Sequence, residues 1–122
     1  FTKIVTYNKM TSLNIPDNLN QILNESKNNP NKLLILDFTA PWCGPCQSLA
    51  PKLEILAKKY NQVSFYKIDH DNHLMSNIFN CFNVSGMPSL VFFKNGKEVI
   101  NKLVGVSDIN ELENRINFCL NQ

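Results

Sequence analysis

No apolar run in this chain approaches the roughly 20 residues that a membrane-spanning helix needs. The longest unbroken stretch, Leu33 to Leu36, is the size of a strand. Charge of one sign is also scarce. The formal net charge is +2, and no basic stripe is interleaved with aromatics, which argues against nucleic acid or an anionic membrane as the main partner. Cysteine is sparse: Cys43 and Cys46 form a spaced pair, while Cys81 and Cys119 stand alone. The dense framework of a small disulfide-stapled secreted domain is therefore missing. A second Cys-x-x-Cys is missing too, which argues against a four-ligand zinc site. The chain opens at Phe1 rather than Met, an indication that the natural N-terminus, with any signal or transit peptide, has been removed.

What remains suits one globular domain over residues 1–122. With 43% hydrophobic and 18% charged residues, it is long enough to bury a core without staples. Residues 1–14 read as an N-terminal extension or edge strand carrying Ile4-Val5. Ile15, Leu19, Ile22 and Leu23 then recur at helical spacing up to about Lys27. Leu33–Phe38, interrupted only by Asp37, reads as a strand buried on both faces. Leu49, Leu53, Leu56, Ala57 and Tyr60 share one face of a helix starting near Gly44 and kinked at Pro51. Val63–Asp69 reads as a strand, and Leu74, Ile78, Cys81 and Phe82 as the core face of a helix. Ser89–Lys94 and Val99–Val104 pair across Asn95-Gly96, the dipeptide favoured in two-residue hairpins. Ser107 or Asp108 caps a last helix whose inner face carries Ile109, Leu112, Ile116 and Leu120, with Cys119 also expected inside. Alternating strands and helices ending in a hairpin predict an α/β domain: a central mixed five-stranded sheet with helices on both faces.

Trp42-Cys43-Gly44-Pro45-Cys46 falls where the buried strand meets the kinked helix. A thiolate is the nucleophile in disulfide exchange, and a helix N-terminus, with its unpaired N–H groups and dipole, favours negative charge. Cys43 is thus the expected attacking thiol. Cys46, one turn on, is placed to resolve the mixed disulfide. Pro45 suits the first turn, where its missing N–H costs little, and Trp42 offers a flat apolar shield.

The stretch Asp37-Phe38-Thr39-Ala40-Pro41-Trp42-Cys43-Gly44-Pro45-Cys46 resembles the signature of the thioredoxin family, as do Pro51, Met87-Pro88, Lys94-Asn95-Gly96 and Gly105. The resemblance runs from about residue 15 to the C-terminus and implies the thioredoxin fold. It also implies that Asp37 relays a proton to or from Cys46. A carboxyl desolvated in an apolar strand, with a raised pKa, suits that role. Pro88 matches the family's cis-proline, leaving the Met87 backbone to pair with an extended substrate, and Gly105 keeps the facing loop low. Many members carry Trp where Thr39 stands, and often Lys where Phe65 stands, so the proton path and the floor of the site are expected to differ in detail.

The implied function is reduction of protein disulfides, without a bound organic cofactor or metal. Electrons would come from NADPH through a separate thioredoxin reductase. Gly44-Pro45 argues for a reductant, near about −270 mV, rather than a secretory disulfide isomerase, near about −180 mV. Frequent asparagine, as in Asn28-Asn29-Pro30-Asn31, resembles malaria-parasite composition. It raises a rival: an accessory subunit of a protein-export assembly in the secretory pathway or parasitophorous vacuole, with the cytoplasm as the alternative address. Asp69-His70-Asp71-Asn72-His73 looks like a metal cluster, but it sits at a strand end before a helix, where Asp and Asn serve as caps.

Overall fold

The computed structural model describes residues 10–12, 17–106 and 108–122. Strand β1 (Met10–Ser12) is followed by helix α1 (Asp17–Asn28), strand β2 (Leu33–Thr39), helix α2 (Gly44–Lys59) and strand β3 (Val63–Asp69). A 3-10 turn (His73–Met75) and helix α3 (Ser76–Cys81) come next, then strands β4 (Ser89–Lys94), β5 (Lys97–Glu98) and β6 (Leu103–Val104), and helix α4 (Ile109–Leu120). The sheet runs β1-β3-β2-β4-β5, with β6 also on β4. β1 and β2 lie parallel to β3, whereas β4 is antiparallel to β2, β5 and β6. Because β5 and β6 share one position beside β4, the result is the mixed sheet of five positions that the sequence predicts. Ile4-Val5 lies outside the described residues; the edge strand described is Met10–Ser12.

β2 is central, and all seven of its residues are buried. Side chains alternate along a strand, so it feeds two cores. Leu33 and Ile35 join Leu49, Leu53 and Leu56 of α2 and Leu112 and Ile116 of α4 on one face. Leu34, Leu36 and Phe38 join Ile22 of α1 and Ile78 of α3 on the other. Each such side chain contributes about 1.5–3 kcal/mol on burial. Asp37 belongs by alternation to the α2 face, flanked by Lys67 of β3 and Leu90 of β4.

Three local expectations need correction or narrowing. Val99–Val104 is not one strand. Phe93 faces Glu98 while Leu90 faces Leu103, so two residues of β4 oppose four of the returning chain. This bulge lets the consecutive Val99 and Ile100 both pack on the same core, which an alternating strand forbids. Cys81 is exposed rather than on a core face. α3 begins only at Ser76, after the 3-10 turn, and ends at Cys81 itself; Met75, Ile78 and Phe82 take the inward positions. At α4 the cap is Asp108, whose side chain accepts from the Asn110 N–H at 2.9 Å; Ser107 lies outside the described residues. Cys119 is buried as expected. Asn95 and Gly96 both take positive φ, 51° and 82°, as their hairpin turn requires.

Candidate active site

The dithiol sits where β2 gives way to α2. Cys43 is the N-cap residue, with extended backbone, and Gly44 and Pro45 form the first helical positions. Cys43 and Cys46 are joined in a disulfide, their Cα atoms 5.3 Å apart. The Cys46 N–H points at Cys43 Sγ, 3.3 Å away, so a helix-end donor serves that sulfur in place of an oxygen cap. Gln47 ties the turn down twice, its backbone N–H donating to Cys43 O at 3.1 Å and its side-chain amide to Ala40 O at 2.9 Å. The first turn of α2 holds no acidic residue to oppose a thiolate. Pro51 lies inside α2, as expected, and exposed.

Asp37 lies on the α2 face of β2, six residues before Cys43, 4% exposed, its Oδ1 without a hydrogen-bond partner. Burial pushes its carboxyl up from 3.8 to about 7, with the Lys67 ammonium pulling the other way. Phe65 is fully buried in the α2-side core. A positive charge is supplied on β3 by Lys67. Thr39 is buried too.

The far wall comes from the β4 end. Met87-Pro88 is a cis peptide, and Met87 packs against Ala40, Cys43 and Cys46. Gly105 has φ +67° and donates its N–H to Pro88 O at 2.9 Å, so the β6–α4 loop is anchored behind the proline. Trp42, next to Cys43, is exposed apolar surface at 63%, and Val104, paired with Ser89 on β4, is exposed too. The structure thus gathers Trp42, Cys43, Gly44, Pro45, Cys46, Met87, Pro88 and Gly105 at one end of the sheet, with Asp37 in β2.

The Asp69–His73 segment has a different use from the one its composition suggests. Asp71 Oδ1 accepts the Trp42 indole N–H at 2.7 Å, and His70 stands edge-on to the indole. Asp69 Oδ1 accepts from the Asp71 N–H, an Asx turn ahead of the 3-10 segment; the N-cap of α3 is Met75, which makes no side-chain cap bond, so the expected capping is not what these residues do. Among the described residues, no three His, Cys, Asp or Glu side chains gather as a metal ion requires. Sequence reasoning missed Lys67 as a neighbour of Asp37, and His70 and Asp71 as neighbours of Trp42, because these contacts cross between strands and loops far apart in the chain.

The thioredoxin family model matches residues 13–118. The chain belongs to the thioredoxin family. Thioredoxin H8 of Arabidopsis thaliana is 51% identical over 87 residues, covering 71% of this chain and 56% of that protein, so the match spans little more than half of that relative. Thioredoxin-2 of Saccharomyces cerevisiae is 45% identical, covering 62% of this chain and 70% of the yeast protein. Among solved structures, the thioredoxin NaTrxh of Nicotiana alata superposes with a TM-score of 0.79 at 35% identity, covering 90% of this chain and 91% of that one. The thioredoxin fold follows. No helix among the described residues is long and apolar enough to cross a membrane.

Proposed function

We propose that this thioredoxin-family chain, read as one domain over residues 1–122, is a protein-disulfide reductase working through Cys43 and Cys46. The observation that carries the reading is the pair itself: a disulfide at a helix N-terminus, one sulfur served by the Cys46 N–H, on an apolar rim beside a buried carboxyl raised to about 7.

In the reduced protein, the α2 terminus favours a Cys43 thiolate. It attacks a substrate disulfide, forming a mixed disulfide and releasing one substrate thiolate, which takes a proton from water. Cys46 then loses its proton to Asp37 and attacks Cys43 Sγ. The second substrate sulfur leaves as a thiolate and takes a proton from water, Asp37 returns its proton to solvent, and the Cys43–Cys46 disulfide remains. Two electrons have passed to the substrate, so no bound cofactor is needed. The dithiol is restored by NADPH through a separate thioredoxin reductase. Trp42, Gly44, Pro45, Met87, Pro88 and Gly105 form the surface on which an extended substrate segment lies.

The relatives are thioredoxins of plants, yeast and flatworms, and they lend no support to an export-assembly subunit, a secretory isomerase or a secretory address. Incubating Cys46→Ser with an oxidised protein substrate tests the reading. A stable mixed disulfide through Cys43, visible on non-reducing gels, is the expected result. Trapping by Cys43→Ser instead would reverse the two roles, and trapping by neither would defeat the proposal.

A further inference from the structure

The exchange chemistry uses neither histidine of the Asp69–His73 segment, yet one of them touches the site. The His70 ring lies edge-on to the Trp42 indole, centroids 5.5 Å apart, and edge-on to Phe79, also at 5.5 Å. Phe79 meets Phe38 of β2 edge-on at 4.9 Å, and Phe38 is fully buried. Four rings therefore run from an exposed indole beside Cys43 down into the sheet. His70 also brings Nδ1 to 3.5 Å from Asp71 Oδ1, the oxygen that accepts the indole N–H. Trp42, His70, Phe79 and Met87 line a cleft of about 570 Å³ beside the dithiol.

We propose that His70 is a positioning residue that fixes Trp42 as a rigid wall of the substrate cleft. The proposal rests on the oxidoreductase reading above for what the cleft receives. A single hydrogen bond from the indole nitrogen pins one point of the ring and leaves it free to swing about that point. The bond also reaches a carboxylate that is itself about half exposed, so water competes for it. The edge-on imidazole supplies the second point. Phe79 behind it supplies the footing, and Phe38 makes that footing part of the core. A wall already ordered before substrate arrives spares the ordering cost at binding. The advantage therefore falls on KM rather than on the chemical step.

Trp42 is the only tryptophan in the chain, so intrinsic fluorescence reports on this ring alone. His70→Ala and Phe79→Leu break successive links, and His70→Phe restores a ring without Nδ1. Time-resolved anisotropy of the oxidised full chain is expected to show faster local motion of Trp42 in His70→Ala and Phe79→Leu. Their KM for insulin reduction is expected to rise about two- to tenfold, the scale of an edge-on aromatic contact, with kcat changing less. His70→Phe is expected to return both quantities to within about twofold of the parent. His70 is exposed, so His70→Ala should fold normally even where Phe79→Leu does not. An indole as immobile in His70→Ala as in the parent would overturn the assignment, and so would a His70→Phe variant as loose as His70→Ala. A parent chain inert toward insulin would sink the oxidoreductase reading instead, and the anisotropy would still decide the role of His70.

Discussion

Replacing Asp37 by Ala removes a carboxyl that lies on the central strand, is 4% exposed and has an Oδ1 with no hydrogen-bond partner. Its pKa is raised from 3.8 to about 7, chiefly by desolvation. A rise of about three units corresponds to about 4 kcal/mol of differential cost. The sign follows from proton binding. Below about pH 4 the group is protonated in both folded and unfolded chains, and the penalty is absent. Between about 4 and 7 the unfolded chain ionises while the folded one holds its proton, so stability falls as pH rises. Above about 7 both are ionised and the full penalty stands. The parent should therefore lose up to about 4 kcal/mol between pH 4 and pH 8 relative to Asp37→Ala. The small void left by Ala carries its own cost, but that cost does not vary with pH.

Denaturant melts of both proteins at half-unit pH steps, with the Cys43–Cys46 disulfide intact throughout, give the difference directly. Equal pH slopes in parent and variant would refute the raised pKa. The kinetic counterpart is stopped-flow reduction of an insulin-like substrate across the same range. Asp37→Ala should slow exchange near neutral pH, where the carboxyl can give and take the Cys46 proton. It should leave the initial encounter unaffected, because Trp42 and Pro88 remain. Unchanged rates at every pH would remove the proton-relay role and leave Asp37 a structural residue.

In the oxidised protein, Cys81 should take one thiol label rapidly and Cys119 only slowly, since Cys81 is exposed and burial pushes the Cys119 thiol up. Mass spectrometry counts the labels; fast labelling of Cys119 would contradict its place in the core. Gly105→Ala should cost about 1 kcal/mol, roughly 4 °C in Tm, because φ is +67° and nothing crowds the added methyl, so backbone strain is the whole effect. An unchanged melt would show that the loop can leave the left-handed region while keeping its bond to Pro88.

How legible each part of the molecule was in its sequence follows from how local its cause is. Leu33–Phe38 was readable as a buried central strand because a run apolar at every position but Asp37 has no solvent face to offer. Asn95-Gly96 was readable because its turn needs two positive φ angles and few residue pairs accept them. The Cys43 N-cap was readable from a Pro45 suited to a first helical turn and from the family signature around it. Cys81 was misplaced because periodicity assumes a helix that continues, whereas α3 ends at Cys81 and Phe82 next to it takes the inward position. The bulge at 99–102 was invisible because Val99 and Ile100 both have high strand propensity, which says nothing of the face each one takes. Only the packing of both on one core shows that the chain must slip. Asp69–His73 was the hardest segment. Its carboxylates and imidazoles are read in isolation as caps or metal ligands, whereas the residue that gives them purpose, Trp42, lies 29 positions from Asp71. Lys67 obeys the same logic, since its bearing on Asp37 exists only through the register of β2 against β3. The Cys43–Cys46 pair could be found from the chain alone because adjacent residues build it. The contacts of Lys67, His70 and Asp71 could not, because the fold brings them there.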